Sequence, residues 1–225
     1  MSSILLKRTT NQALELAKYS KNFMTNSQPS LKVLERTKLF HTDSVICGIS
    51  ALALLTNAPS VLKAEALQYS NKYKANSSSQ NNLARCFGSD SLCLDTKVIA
   101  ANCSAVREWD SNGTVFGYRE GAPDFQAGEF GHNDFYPVVI ASAFQNKKMN
   151  GRDALKAMVL LDEVRCRLAE VFPLKKFKVD HVVHGAIASI CTMGALLDAS
   201  EAQIESAIGM FVAHYIPFRA IRAGH

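Results

Sequence analysis

Gly151-Arg-Asp-Ala-Leu155-Lys-Ala-Met158-Val-Leu-Leu161-Asp-Glu-Val164, running on to Pro173, decides the fold. Leu155, Met158, Leu161 and Val164 recur at helical spacing, so they share one face of a long amphipathic helix that Pro173 stops. Upstream, Asn133 or Asp134 is placed to cap an apolar helix over Phe135–Phe144. Downstream, a helix is expected from about His181 to Leu197. The last begins at Ser200-Glu-Ala-Gln203, a capping-box pattern, and continues to about Tyr215.

The same punctuation holds toward the N-terminus. Val98, Ala101, Ala105 and Trp109 fall on one face of a helix over Thr96 to Trp109, whose end delivers Asp110. Ser30 caps a segment through Leu31, Leu34 and Leu39 toward Leu55. Pro59 is expected to end it and Ser60 to start the next. Leu14, Leu16, Ala17 and Phe23 suit a first amphipathic helix from Asn11 to Phe23. Strand alternation is nearly absent. Ala75–Asn82 reads as a polar loop, Ala84–Leu94 has no clear period, and the glycines and proline between Ser111 and Gly131 exclude a helix there. The expectation is a single all-α domain of seven or eight helices over 11–225, with its chemistry on the connecting loops.

At 225 residues and 48% hydrophobic content the chain can bury one sizeable core. Its net charge of +5 is spread without a Lys/Arg block, which argues against nucleic acid and allows only a small polyanion to be drawn in. No apolar run approaches the roughly 20 residues that span a bilayer, so no membrane is expected. The six cysteines, Cys47, Cys86, Cys93, Cys103, Cys166 and Cys191, include no C-x-x-C pair; they suggest neither a zinc ribbon nor an iron–sulfur cradle, and a reducing compartment. Lys7, Arg8, Lys18 and Lys21 against Glu15 have the polarity of a mitochondrial presequence. Since the first helix claims residues from Asn11 on, residues 1–10 are all that is left for a leader. The reading is open between the mitochondrial matrix and the cytoplasm.

Functional groups concentrate in Arg107-Glu-Trp-Asp-Ser-Asn-Gly-Thr114 and Gly128-Glu-Phe-Gly-His-Asn-Asp134. Asp110 and Thr114, four residues apart beside a Gly-rich segment, read as an acid–base or substrate-orienting pair facing one cavity. An Asp before Ser-Asn-Gly also reads as a turn residue that hydrogen-bonds its own backbone. His132 sits where a loop meets a helix start, which favours anions. His181 and His184 share a helix face; with no adjacent third ligand no metal is expected, and His184 reads as a satisfied core histidine. Arg219 and Arg222 suit carboxylates through the guanidinium fork, or else line a solvated chain end.

Asp110 with Thr114, Gly131-His132, Asp180-His181, and Arg219, Arg222 and His225 resemble, in order, the linked motifs of the MmgE/PrpD family. The wording Arg107-Glu-Trp-Asp is similar to that of a eukaryotic 2-methylcitrate dehydratase branch. The resemblance implies a multi-helix domain and dehydration of 2-methylcitrate to 2-methylaconitate in propionate catabolism. No metal, cluster or other cofactor takes part, and the partner is a small tricarboxylate. It implies His132 and His181 as proton-transfer or carboxylate-contacting groups, with Asp110 and Thr114 as orienters and hydroxyl contacts and Arg219 and Arg222 for substrate carboxylates. It also implies a homodimer formed through the helical domain. Family members continue past the Arg-rich stretch into a Lys and an α/β lid, so the chain is expected to be the N-terminal helical part, truncated before the lid. Two other readings stay open: a cis-aconitate decarboxylase-like enzyme, or an inactive helical domain acting in binding or assembly.

Overall fold

A computed structural model describes residues 7, 9–70, 82–117, 129–146 and 148–223. Helices dominate: α1 (Gln12–Asn26), α2 (Leu31–Ala53), α3 (Asn57–Gln68), α4 (Asp95–Arg107), α5 (Tyr136–Gln145), α6 (Gly151–Val171), α7 (Val182–Leu196), α8 (Glu201–His214) and the short α9 (Arg219–Ala223). The chain is a mainly helical single domain. Among the described residues no single helix is long and apolar enough to cross a membrane.

Local chemistry accounts for most boundaries. Asn11 and Ser30 accept backbone N–H groups at the starts of α1 and α2. Full capping boxes open α6 (Asn150 with Asp153) and α8 (Ser200 with Gln203). Each satisfies donors that a bare helix start leaves orphaned. Pro59 does not end α2. It lies in the first turn of α3, where the missing N–H has no intrahelical partner to lose, and the break falls at Leu54–Thr56 instead. Nor do Asn133 and Asp134 cap α5 by side chain. Phe135 holds that position without a side-chain bond, because Asn133 and Asp134 are committed elsewhere.

Among the described residues two small antiparallel ribbons interrupt the helices, against the expectation of irregular loops. β1 (Leu83–Arg85) pairs with β2 (Leu92–Leu94), and β3 (Gly113–Phe116) pairs with β4 (Glu129–His132). Strands of three or four residues are too short to display an alternation. Most of the polar stretch expected as a loop, residues 75–81, lies outside the described residues, as do 118–128 of the Gly-rich segment.

The larger core joins Ala17 of α1, Tyr136 and Val139 of α5, Met158, Leu160, Leu161, Val164 and Leu168 of α6, Ala188 and Cys191 of α7, and Ile204 and Ile208 of α8. Complete burial of side chains of this size stabilises by roughly 1.5–3 kcal/mol each. A second cluster gathers Ala66, Ala84, Cys86, Cys93, Val98, Ala101 and Ala141. Thus α5 contributes to both. Trp109 leaves the face assigned to it: it lies past the end of α4 and is 40% exposed.

Where α7 crosses α5, Gly185 lies so close to the Phe135 ring that an added Cβ would collide with it. Gly185→Ala is therefore expected to destabilise by about 1–3 kcal/mol through overpacking. The readout is a lower urea midpoint at unchanged slope. A midpoint at the wild-type value would show that Phe135 moves aside freely.

Candidate functional site

β3 and β4 place the two motif segments side by side, with Gly113 opposite His132 and Thr114 opposite Gly131. Opposed residues share a face and successive residues alternate. Thr114 and Gly131 therefore look one way and His132 the other. A Cβ on Gly131 would run into the Arg165 guanidinium and lie 2.9 Å from the Phe116 ring, which marks their side as the inner one. Gly117, at φ +75°, closes the strand against the α6 backbone. A Cβ there would meet the Glu170 nitrogen at 2.8 Å and the Cys166 carbonyl at 3.0 Å.

On the other side His132 meets Asp110, its Nε2 lying 2.5 Å from Asp110 Oδ1. The imidazole is 3% exposed and the carboxylate 63% exposed, so the pair runs from the interior to solvent. Asp110 follows α4 in the left-handed region, at φ 54°, and also takes an ion pair from Arg107. Burial, and then the charge of Arg107, push the His132 pKa below its ordinary 6.5 against the pull of Asp110 and Asp134. At neutral pH the ring is a neutral base with a carboxylate on one nitrogen. Thr114, expected to share a cavity with Asp110, is instead on the opposite ribbon face.

The ribbon is latched to α2 and α4. Asn133 Nδ2 donates to the Phe40 carbonyl at 2.5 Å, and Ser44 Oγ donates to the Asn133 carbonyl at 3.3 Å. Asn112 donates to Asn133 Oδ1 and, at 3.2 Å, to the Val106 carbonyl. Beneath lies Arg165 of α6, 4% exposed. Its guanidinium sits 4.1 Å from the Phe116 ring centre and 4.9 Å from that of Phe135. Nη1 donates to the His132 carbonyl at 2.6 Å and lies 3.9 Å from Asp134, which also faces Arg107 at 3.7 Å. Sequence reading missed Arg165 and Asp162, and gave Asp134 a capping role in place of its pairing with Arg107 and Arg165. The available signal was two charges, Asp162 and Arg165, set among Leu160, Leu161, Val164 and Leu168 of α6.

On the inner side a cleft of about 470 Å³ opens between α2, β3 and α6. Arg36 and Asp43 stand at it with Thr114 and Phe116, and Tyr136 and Asp162 also line it. Tyr136 donates its hydroxyl to Asp162 Oδ2. Burial pushes the Asp162 carboxyl up from 3.8 to about 7, opposed by the Tyr136 bond and the Arg165 charge.

Asp180 and His181 open α7. Asp180 is fully buried, and its Oδ1 accepts the Val182 N–H at 3.0 Å with His181 Nδ1 3.6 Å away. The chain returns beside them: Asp180 N–H donates to the Pro217 carbonyl and Arg219 N–H to the Lys178 carbonyl, at 2.9 and 2.8 Å. Arg219 is thus delivered to the His181 segment. Arg222 falls within α9, but its side chain, like His225, lies outside the described residues. His184 is 3% exposed. Burial first, and then the Arg165 charge, press its pKa down to about 4, against a bond to the Phe172 backbone; among the described residues Nε2 has no hydrogen-bond partner, so there the core histidine is only half satisfied. Among the described residues no group of three or more His, Cys, Asp or Glu converges as a metal would require.

Asp162 and His184 give stability opposite pH slopes. Between 3.8 and about 7 the folded chain keeps a proton on Asp162 that the unfolded chain releases, so this contribution falls as pH rises. Between about 4 and 6.5 the unfolded chain protonates His184 and the folded chain does not, so that contribution falls as pH drops. Asp162→Asn removes the first alone. Its stability is expected to climb from pH 4.5 to 6.5 by on the order of 2 kcal/mol more than that of the wild type. Calorimetric Tm curves that run parallel in the two proteins would contradict this.

No curated protein matches the chain in a comparison of whole sequences. The family description of the MmgE/PrpD N-terminal domain does match, over residues 14–225, which takes in every helix from α1 to α9 except the first two residues of α1. The dehydratase and lyase character of that family accords with a buried imidazole on a carboxylate. The chain belongs to the MmgE/PrpD family, and its helical unit is that family's N-terminal domain.

Proposed function

We propose that the chain is a hydro-lyase of the 2-methylcitrate dehydratase type, turning 2-methylcitrate into 2-methylaconitate by acid–base elimination of water in propionate catabolism. The observation that carries this is the buried His132 set 2.5 Å from Asp110, with burial and the Arg107 charge holding its pKa below the ordinary value. His132 takes the proton from the carbon beside a carboxylate, and Asp110 orients the ring and stabilises the imidazolium that forms. The electron pair left on carbon becomes the new double bond as the neighbouring C–O bond breaks. His181 delivers a proton to the departing hydroxyl, which leaves as water. Arg219 and Arg222 hold substrate carboxylates from the α9 segment. Thr114 faces the inner cleft, so in this reading it has no part in the proton transfer itself.

No electron acceptor is needed, and the reaction balances with the two histidines alone. The basic residues Lys7 and Arg8, in the ten residues before the first helix, support a mitochondrial setting. Exposed Ile46, Ile49, Leu54, Leu55 and Val61 on α2, α3 and the turn between them support a homodimer, since apolar patches of this kind mark contact surfaces.

The test follows the ultraviolet absorbance of the conjugated double bond formed from 2-methylcitrate, with citrate and cis-aconitate run in parallel. Turnover of methylcitrate is expected. A folded protein that turns over none of the three overturns the assignment, and one that acts on cis-aconitate alone moves it to decarboxylation.

A further inference from the structure

One carboxylate oxygen serves two basic groups beside the ribbon. Asp110 Oδ1 takes the ion pair from Arg107 Nη1 and also lies 2.5 Å from His132 Nε2. While the ring is unprotonated, only one of the two carries charge. Once the ring takes up a proton, two cations converge on that oxygen and repel each other. Arg107, the last residue of α4, has a second carboxylate within reach: its Nε lies 3.7 Å from Asp134 Oδ2. That gap is longer than a hydrogen bond, and closing it to about 2.9 Å takes a side-chain movement and no change of backbone.

Asp134 is suited to receive it. Its Oδ1 is buried with no hydrogen-bond partner among the described residues, and the nearest cation to that oxygen, Arg165 Nη1, stands 3.9 Å away. Arg165 is held between the rings of Phe116 and Phe135 and bonded to the His132 carbonyl, so it is the fixed member and Arg107 the movable one. Burial pushes the Asp134 carboxyl up, against the charges of Arg165 and Arg107, so a closer Arg107 also keeps it ionised. Cys103 of α4, near Asp134, adds no charge, because burial pushes its thiol up as well. The charged groups facing His132 are therefore Arg107 and Asp110 from the end of α4, Asp134 beyond β4 and, at its carbonyl, Arg165 of α6. After burial, Arg107 is the strongest influence against a proton on the ring, while Asp110 and Asp134 favour one.

We propose that Arg107 is a positioning residue for His132: it holds Asp110 while the ring is unprotonated and passes to Asp134 as the ring takes up a proton, freeing Asp110 for the imidazolium. Its consequence for the elimination rests on the reading of His132 as the base. The test is a proton NMR titration of the full chain, with the His132 resonance assigned by its loss in His132→Ala. Arg107→Gln, which keeps hydrogen-bonding capacity and loses the charge, is expected to raise the His132 midpoint by about one pH unit. Asp134→Asn, which removes the second seat and a favourable charge, lowers it by roughly half a unit. Arg107→Lys keeps the charge and leaves the midpoint near that of the wild type. A merely structural role for either residue predicts no such pair of opposite shifts. An unmoved midpoint in Arg107→Gln overturns the proposal, and so do shifts of the same sign in Arg107→Gln and Asp134→Asn. In turnover the acid limb of the kcat/KM profile is expected to follow the midpoint in each variant. Midpoints that move as stated in a chain without turnover uphold the Arg107 role and remove the elimination reading alone.

Discussion

His132→Ala is expected to cut methylcitrate turnover by roughly 10²–10⁴-fold, the usual scale for losing a general acid or base, with the far-ultraviolet circular dichroism unchanged. The fold survives because the structural role of this residue is carried by its backbone. Its carbonyl accepts from Arg165, and its strand position pairs with Gly113. The side chain contributes the contact to Asp110. Loss in kcat with KM little changed would mark the imidazole as a group acting in the reaction rather than in uniform binding. His181→Ala, made beside it, is expected to fall within the same range. Near-normal turnover in both variants would remove these histidines from the mechanism.

The largest loss of stability is expected from Arg165→Leu, about 3–5 kcal/mol by denaturant unfolding. The substitution keeps an apolar stem between the rings of Phe116 and Phe135 but removes the charge that faces Asp134 and Asp162. It also orphans the His132 carbonyl. Removing one partner of a buried pair costs more than the pair contributes, because the other charge stays behind. Adding Asp162→Asn should return part of the loss if the stranded carboxyl is its source. Strict additivity of the two changes would show that the two groups are not coupled.

The helices were legible wherever apolar spacing and caps agree. Ser200 with Gln203 announces α8 within four residues, and Leu155, Met158, Leu161 and Val164 announce α6. Pro59 misled because a proline at a helix start and one past a helix end look alike in a string. The two ribbons were invisible for a different reason: their pairing, Gly113 to His132, spans residues too few per strand to carry a period. His132 and Asp110 could be named from local wording. What joins them could not, since Asn133 reaches the Phe40 carbonyl and Arg165 the His132 carbonyl across gaps of 93 and 33 residues. Hydrogen bonds of that range leave no trace in spacing.

Asp110 holds a backbone conformation that glycine adopts without penalty and most residues resist, although Asp tolerates it better than they do. A campaign that ranks substitutions by thermal stability alone would therefore favour Asp110→Gly, and would discard the carboxylate that touches His132. For anyone engineering this domain, position 110 is one to hold constant while robustness is sought elsewhere.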